Sequence, residues 1–190
     1  MHKTNHARVW PEARAVIGAG LLLCSLNAGA WLLEGVVTKV SDGDSVSIRD
    51  ARSKVHKVRL AGIDAPELQQ AYGKAAGRAL RTVVLRKPVI ADCNTQDRYG
   101  REVCTVSIER HDLGLALVRS GLAWHYEAYI DDQPSAEAIG YARAQAQARE
   151  AGLGLWAQPD PTPPWAWRRA RAKANALEDE REVAPLDGAW

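Results

Sequence analysis

The chain has 190 residues, 46% of them hydrophobic and 25% charged, with a formal net charge of +2 and no phenylalanine. That is enough for one modest core built from Trp, Tyr, Leu and Val, with segments left over at both ends. Lys3, Arg8 and Arg14 against Glu12 account for the whole +2, so the remainder is neutral, which argues against binding nucleic acid by bulk phosphate neutralisation.

Residues 1–30 read as an export leader. Basic residues come first, an apolar run over 15–26 follows, and Ala28 and Ala30 form an A-x-A cleavage pattern. The run is short for a membrane span, so no stable membrane association is expected once the leader is removed. Leu23 before Cys24 is bulkier than a lipid-attachment site normally allows. Cleavage leaves Cys93 and Cys104, an even pair that oxidising conditions invite into a disulfide. Two reduced, buried thiols are the alternative. No further soft ligand stands at a spacing that makes the pair a metal site.

Residues 36–40 form a short apolar strand, and Asp42-Gly43 is a turn signal after it. Asp44, Val46 and Ile48 then alternate with Ser45, Ser47 and Arg49. Period two puts Asp44 on the inward face, at the rim of a core, where a carboxylate needs a partner. A second turn at 50–53 leads into a strand over 55–63. Arg59 and Asp64 are five positions apart, so a regular strand would send them to opposite faces. Both reach one place only if the strand bends, and Gly62 is the residue that permits it. Pro66 ends the strand.

Residues 72–87 carry a helical stripe of Ala75, Ala76, Ala79, Leu80, Val83 and Val84, closed by Pro88. Residues 89–93 and 102–108 read as a strand pair whose connection holds Asp97-Arg98-Tyr99-Gly100-Arg101. Residues 113–120 make a short helix ended by Gly121. Residues 135–151 make an alanine-rich helix with Ser135 as its N-cap and Gly152 past its end. Leu155 and Trp156 are expected to pack back onto the body. Residues 159–164 are a proline-rich linker, and 165–181 a charged helical extension, basic first and then acidic. This tail, 159–190, is expected to be a solvated arm with no dedicated binding role. Strands first, with helices inserted and appended, predict an α+β fold: a small OB-like barrel with helices packed outside, over 31–158.

Asp44 and Asp64 each offer a carboxylate oxygen to a hard divalent ion, and the Ala65 carbonyl can add another. Glu67 stands close enough to orient a water or take its proton. Arg59 and Arg101 can clamp a phosphate and oppose its growing charge. His56, His111 and His125 are scattered and read as surface or core histidines. Each element alone is weak, since Asp-Gly-Asp is usually a turn and an arginine is usually a surface ion-pair partner. Their order and spacing together point to metal-assisted phosphodiester cleavage.

Over residues 33–156 the chain resembles the staphylococcal (micrococcal) nuclease family. The resemblance is carried by Asp42-Gly43-Asp44-Ser45, by Arg59-Leu60-Ala61-Gly62-Ile63-Asp64-Ala65-Pro66-Glu67 and by Asp97-Arg98-Tyr99-Gly100-Arg101. Leu117-Val118-Arg119-Ser120-Gly121-Leu122-Ala123, Ala144-Gln145-Ala146-Gln147-Ala148 and Leu153-Gly154-Leu155-Trp156 extend it. The resemblance implies a five-stranded OB-fold barrel with three helices and a calcium-dependent phosphodiesterase that cuts DNA and RNA to 3′-phosphate ends. It implies Asp44, Asp64 and the Ala65 carbonyl as calcium ligands, Arg59, Glu67 and Arg101 as catalytic, and Tyr99 as substrate-binding. Ser45 stands where threonine is common in the family, and Ala65 replaces a threonine whose backbone is what meets the ion. The expected molecule is an exported monomer, periplasmic or secreted. A non-catalytic nucleic-acid-binding module on the same barrel is the alternative.

Overall fold

The computed structural model describes residues 29–183. The leader expected over 1–30 therefore lies almost entirely outside the described residues, as does the end of the tail. Five strands form a closed barrel: β1 (Trp31–Val40), β2 (Ser45–Arg49), β3 (Val55–Leu60), β5 (Pro88–Gln96) and β6 (Glu102–Ile108). Neighbours run antiparallel in the order β3-β2-β1-β5-β6, and a parallel pairing of β3 with β6 closes the ring. Closure leaves no long open edge among these strands. The barrel is the α+β, OB-like architecture expected.

β1 is longer than the 36–40 strand expected. Its second half pairs with β2 and its first half with β5, from Trp31 opposite Cys93 to Val36 opposite Pro88. One ten-residue strand thus serves two neighbours, and its polar Glu34 hides that continuity in the sequence. Cys93 and Cys104 face each other across β5 and β6 and are joined in a disulfide, which resolves the two readings of the pair.

Val37, Val40, Val46, Ile48, Val58, Leu60, Ala91 and Val106 fill the barrel. Helix α1 (Gly73–Val84) presses Ala76, Leu80 and Val84 onto it. It stops short of the expected residue 87. Arg86 takes a left-handed φ of 64°, and its N–H donates to the Val37 carbonyl at 2.8 Å. The chain is captured by β1 there, and Pro88 already belongs to β5. Helix α2 (Leu113–Arg119) is capped by Asp112, whose carboxylate accepts from the Leu115 N–H and from the Tyr141 hydroxyl of α3 (Ser135–Glu150). Ser135 is not the cap of α3: it is the first helical residue, and the Pro134 carbonyl accepts from the Glu137 and Ala138 N–H groups.

Two short pieces position the site. After Ala61-Gly62 the chain turns into β4 (Ile63–Asp64), which pairs with β8 (Trp124–His125), while β7 (His111–Asp112) folds back antiparallel onto the end of β6. The tail departs from expectation. Helix α4 (Pro164–Val183) rests its first turn on the body, with Trp165 edge-on to Trp124 at 5.6 Å and tilted on Tyr126 at 5.4 Å. Residues 169–179 beyond that turn are exposed, as a solvated arm would be.

Candidate active site

Asp44 sits at the start of β2 and is nearly fully buried. Gly43 before it lies so close to Ala65 and Ala76 that a Cβ would meet theirs at 2.6 and 2.7 Å, which brings the β1–β2 turn down onto the 64–67 segment. Gly62 has a φ of +70°, and this left-handed residue breaks the two-residue alternation. Asp64 is thereby returned to the face that carries Arg59, although a regular strand would separate them.

The Arg59 guanidinium bridges both acids. Its Nη1 donates to Asp44 Oδ2 at 2.6 Å, and its Nη2 donates to Asp64 Oδ1 and to the Ile63 carbonyl, each at 3.1 Å. Asp44 Oδ2 also accepts from the Ala65 N–H at 3.1 Å, and Oδ1 accepts from the Ser45 hydroxyl at 2.9 Å. Arg101 arrives from the β5–β6 loop, where Asp97 fixes it through its Nε at 2.7 Å. Its Nη1 donates to the Ser45 hydroxyl at 3.0 Å, so a single hydroxyl separates Arg101 from Asp44. Glu67 lies at the outer rim with its side chain 38% exposed. Its N–H is held by Gln70 Oε1 at 2.9 Å. Tyr99 projects into solvent, with the Arg98 and Arg101 guanidinium groups 4.9 and 5.6 Å from its ring centre.

Asp44, Asp64, Ala65, Arg59, Arg101 and Glu67 are therefore gathered at one mouth of the barrel, with Tyr99 beside them. Two further charged residues belong to the group. Asp42 accepts from the Asp44 N–H at 3.0 Å; its place in Asp-Gly-Asp was the available signal, though that pattern alone reads as a turn. Arg168 of α4 donates Nη2 to Asp64 Oδ2 at 2.7 Å and Nη1 to Asp64 Oδ1 at 3.2 Å and to Glu67 Oε1 at 2.9 Å. No local pattern announces Arg168, because its partners are about a hundred positions earlier in the chain.

Electrostatics differ across the cluster. Burial pushes the Asp44 carboxyl up, but the Arg59 charge, the Ala65 N–H and the Ser45 hydroxyl outweigh it and hold Asp44 below the usual carboxylate range. For Asp64 burial prevails, with the Asp44 charge adding to it, over the stabilising contacts from Arg168 and Arg59, so its carboxyl sits above that range. Asp42 is pushed up to about 6, first by burial and then by the Asp44 charge. The donor set is oxygen-only and anionic, and Asp64 already receives two guanidinium cations. That chemistry suits a hard divalent ion such as calcium and is poor for zinc. Among the described residues, the group of three metal-ligand side chains that already lie within 4.8 Å of one another is Cys93, Glu102 and Cys104, and with both sulfurs in the disulfide it has no thiolate to offer.

Residues 57–158, just over half of the chain, match the model of the family described as staphylococcal nuclease homologue. The chain belongs to the staphylococcal nuclease homologue family. Similar proteins include an uncharacterized endonuclease of Haemophilus influenzae, 38% identical over 108 residues, a match that covers 57% of this chain and 61% of that one. An uncharacterized endonuclease of Escherichia coli O157:H7 is 37% identical over 101 residues, 53% of this chain and 65% of that one. A micrococcal nuclease of Shigella flexneri is 34% identical over 125 residues, 61% of this chain and 71% of that one. The chain thus spans less than two thirds of the length of the first two relatives. The matched residues include Arg59, Asp64, Glu67 and Arg101, and Asp44 lies before them in the chain.

Proposed function

We propose that this chain is a calcium-dependent phosphodiesterase that hydrolyses DNA and RNA. The observation that carries the proposal is the meeting of Asp44, Asp64 and Arg59 in one buried contact, with Glu67 and Arg101 at its edge. Relatives whose names describe endonucleases and a micrococcal nuclease support it.

Asp44, Asp64 and the Ala65 carbonyl would hold the ion, and Asp42 adds negative charge beside them. When bound, a calcium ion supplies positive charge to the scissile phosphate and counters the charge that grows there. Arg59 and Arg101 donate to phosphate oxygens from two sides, each positioned by acids that keep its fork in place. Glu67 takes a proton from the attacking water as the water oxygen bonds to phosphorus. The P–O5′ bond breaks, the departing oxygen takes up a proton from solvent, and a 3′-phosphate and a 5′-hydroxyl remain. Tyr99 offers an exposed ring to the nucleotide. Export by the 1–30 leader is part of the proposal, and the Cys93–Cys104 disulfide supports an oxidising destination.

The test is Glu67→Ala in the mature chain. Turnover is expected to fall roughly 100- to 10,000-fold while the unfolding midpoint and DNA binding persist. Unchanged turnover would remove Glu67 from the mechanism, and binding without cleavage in the unaltered protein would favour a non-catalytic binding module.

A further inference from the structure

Asp64 and Glu67, the two acids that the proposed reaction asks most of, are both engaged by one side chain from outside the barrel. Arg168 contacts both oxygens of Asp64 and one of Glu67. It sits one turn into α4, whose start is held to the body by ring packing and one hydrogen bond: Trp165 packs on Trp124 and Tyr126, and Gln70 Nε2 donates to the Thr162 carbonyl at 3.1 Å. Resting on this reading of the acid cluster as a calcium seat, we propose that α4 is a self-inhibitory latch, its Arg168 guanidinium standing where the cation's charge must go.

A guanidinium and a divalent cation on the same carboxylate oxygen compete, and since Arg59 contacts Asp64 through Oδ1, Arg168 at 2.7 Å from Oδ2 occupies the oxygen that Arg59 leaves open. Asp64 is buried with a side-chain exposure of 1%, so solvent does little to screen the charges that compete for it. Arg168 itself is 44% exposed, and its hold is correspondingly easy to release. The cleft between α4 and the body, about 860 Å³, is lined by Arg98, Arg149 and Arg169 together with Trp124, Tyr126 and Trp165. These are side chains suited to a single nucleic-acid strand, but the aromatic ones are spent on one another. Trp124 stands edge-on to Trp156 and Trp165, and Arg149 lies over Trp124 and Trp156. The arrangement is that of a docked helix, and its release would take Trp165 and Arg169 away and uncover Trp124 and Tyr126 beside Arg98 and Arg149.

Linkage makes the latch reciprocal: the factor by which α4 docking weakens calcium binding is the factor by which calcium weakens α4 docking. Calorimetric titration of the full chain with calcium, compared with Arg168→Gln, reads the first half. The variant is expected to bind calcium roughly tenfold more tightly, whereas Arg171→Gln, which removes an exposed charge from the same helix, is expected to change affinity less than about twofold. Amide hydrogen exchange of the unaltered chain reads the second half. Protection over 164–175 is expected to fall when calcium saturates the protein. Equal calcium affinity in the unaltered chain and Arg168→Gln, or unchanged protection over 164–175, overturns the latch and leaves the calcium seat standing. If neither form binds calcium, the seat and the latch fall together.

Discussion

The inner and outer halves of the site are built differently. Asp44, Arg59 and Asp64 are donated by barrel strands and their turns, and their side chains are 8%, 15% and 1% exposed. Glu67 and Arg168 are 38% and 44% exposed, and one of them belongs to a helix that the barrel does not need for closure. The inner half is held by the fold itself: shifting Asp44 means shifting the β1–β2 turn, and shifting Asp64 means unmaking β4. The outer half is held by side-chain contacts that water can replace. A site built this way keeps its charge geometry ready while leaving Glu67 and Arg168 free to exchange partners.

Arg59→Lys strikes the inner half and is expected to have the largest effect. An ammonium cannot span Asp44 and Asp64 as a planar fork does. Loss of such a preorganised donor is expected to cost roughly 100- to 1,000-fold in turnover, measured with saturating calcium and DNA. Near-normal kinetics would place Arg59 outside the phosphate contact and erase the distinction between the two halves.

Asp42→Asn sharpens the comparison from the side of stability. It keeps an oxygen for the Asp44 N–H and removes one of three crowded negative charges. Without calcium the variant is expected to be more stable by about 1 kcal/mol in urea denaturation, because acid clusters of this kind trade stability for function. With calcium saturating, that advantage should shrink or reverse. Lower stability of Asp42→Asn in the absence of calcium would mean that the inner acids are not crowded.

His56 tests whether the site is electrically separate from the other end of β3. It lies 2.9 Å from Glu102 and 3.2 Å from Asp50. Burial draws its pKa down, but the hydrogen bonds that its ring donates to Glu102 and Asp50 outweigh that and raise it above the ordinary 6.5. A raised histidine pKa contributes stability fully below the unfolded value and loses it as the pH climbs through the folded one. The stability difference between the unaltered chain and His56→Gln is therefore expected to be largest below pH 6.5 and to shrink as the pH rises past the raised value. The calcium-dependent turnover of the two should stay equal. A pH-independent difference would remove the ion-pair account of His56.

Much of this was legible in the residues, and the part that was not has a common cause. β6 is found over the 102–108 that the strand-pair reading gave it, and the convergence of Arg59 with Asp64 follows from parity plus one glycine. The first half of β1 was hidden because a strand that changes partners midway carries no single alternation. The end of α1 was overrun because the left-handed turn at Arg86 is imposed by a hydrogen bond to β1 and not by any local residue preference. Arg168 is the extreme case. It sits in a mostly solvated, charged helix, and its meaning comes entirely from where Trp165 anchors that helix.

The central claim is that the acid cluster at the barrel mouth works on phosphodiesters only when a hard cation joins it. Cleavage of DNA by the purified mature chain, followed side by side in calcium, in magnesium and in excess chelator, tests this most directly. The account predicts rapid cleavage to 3′-phosphate ends in calcium, weak or no cleavage in magnesium and none in chelator. Equal cleavage in all three would contradict it.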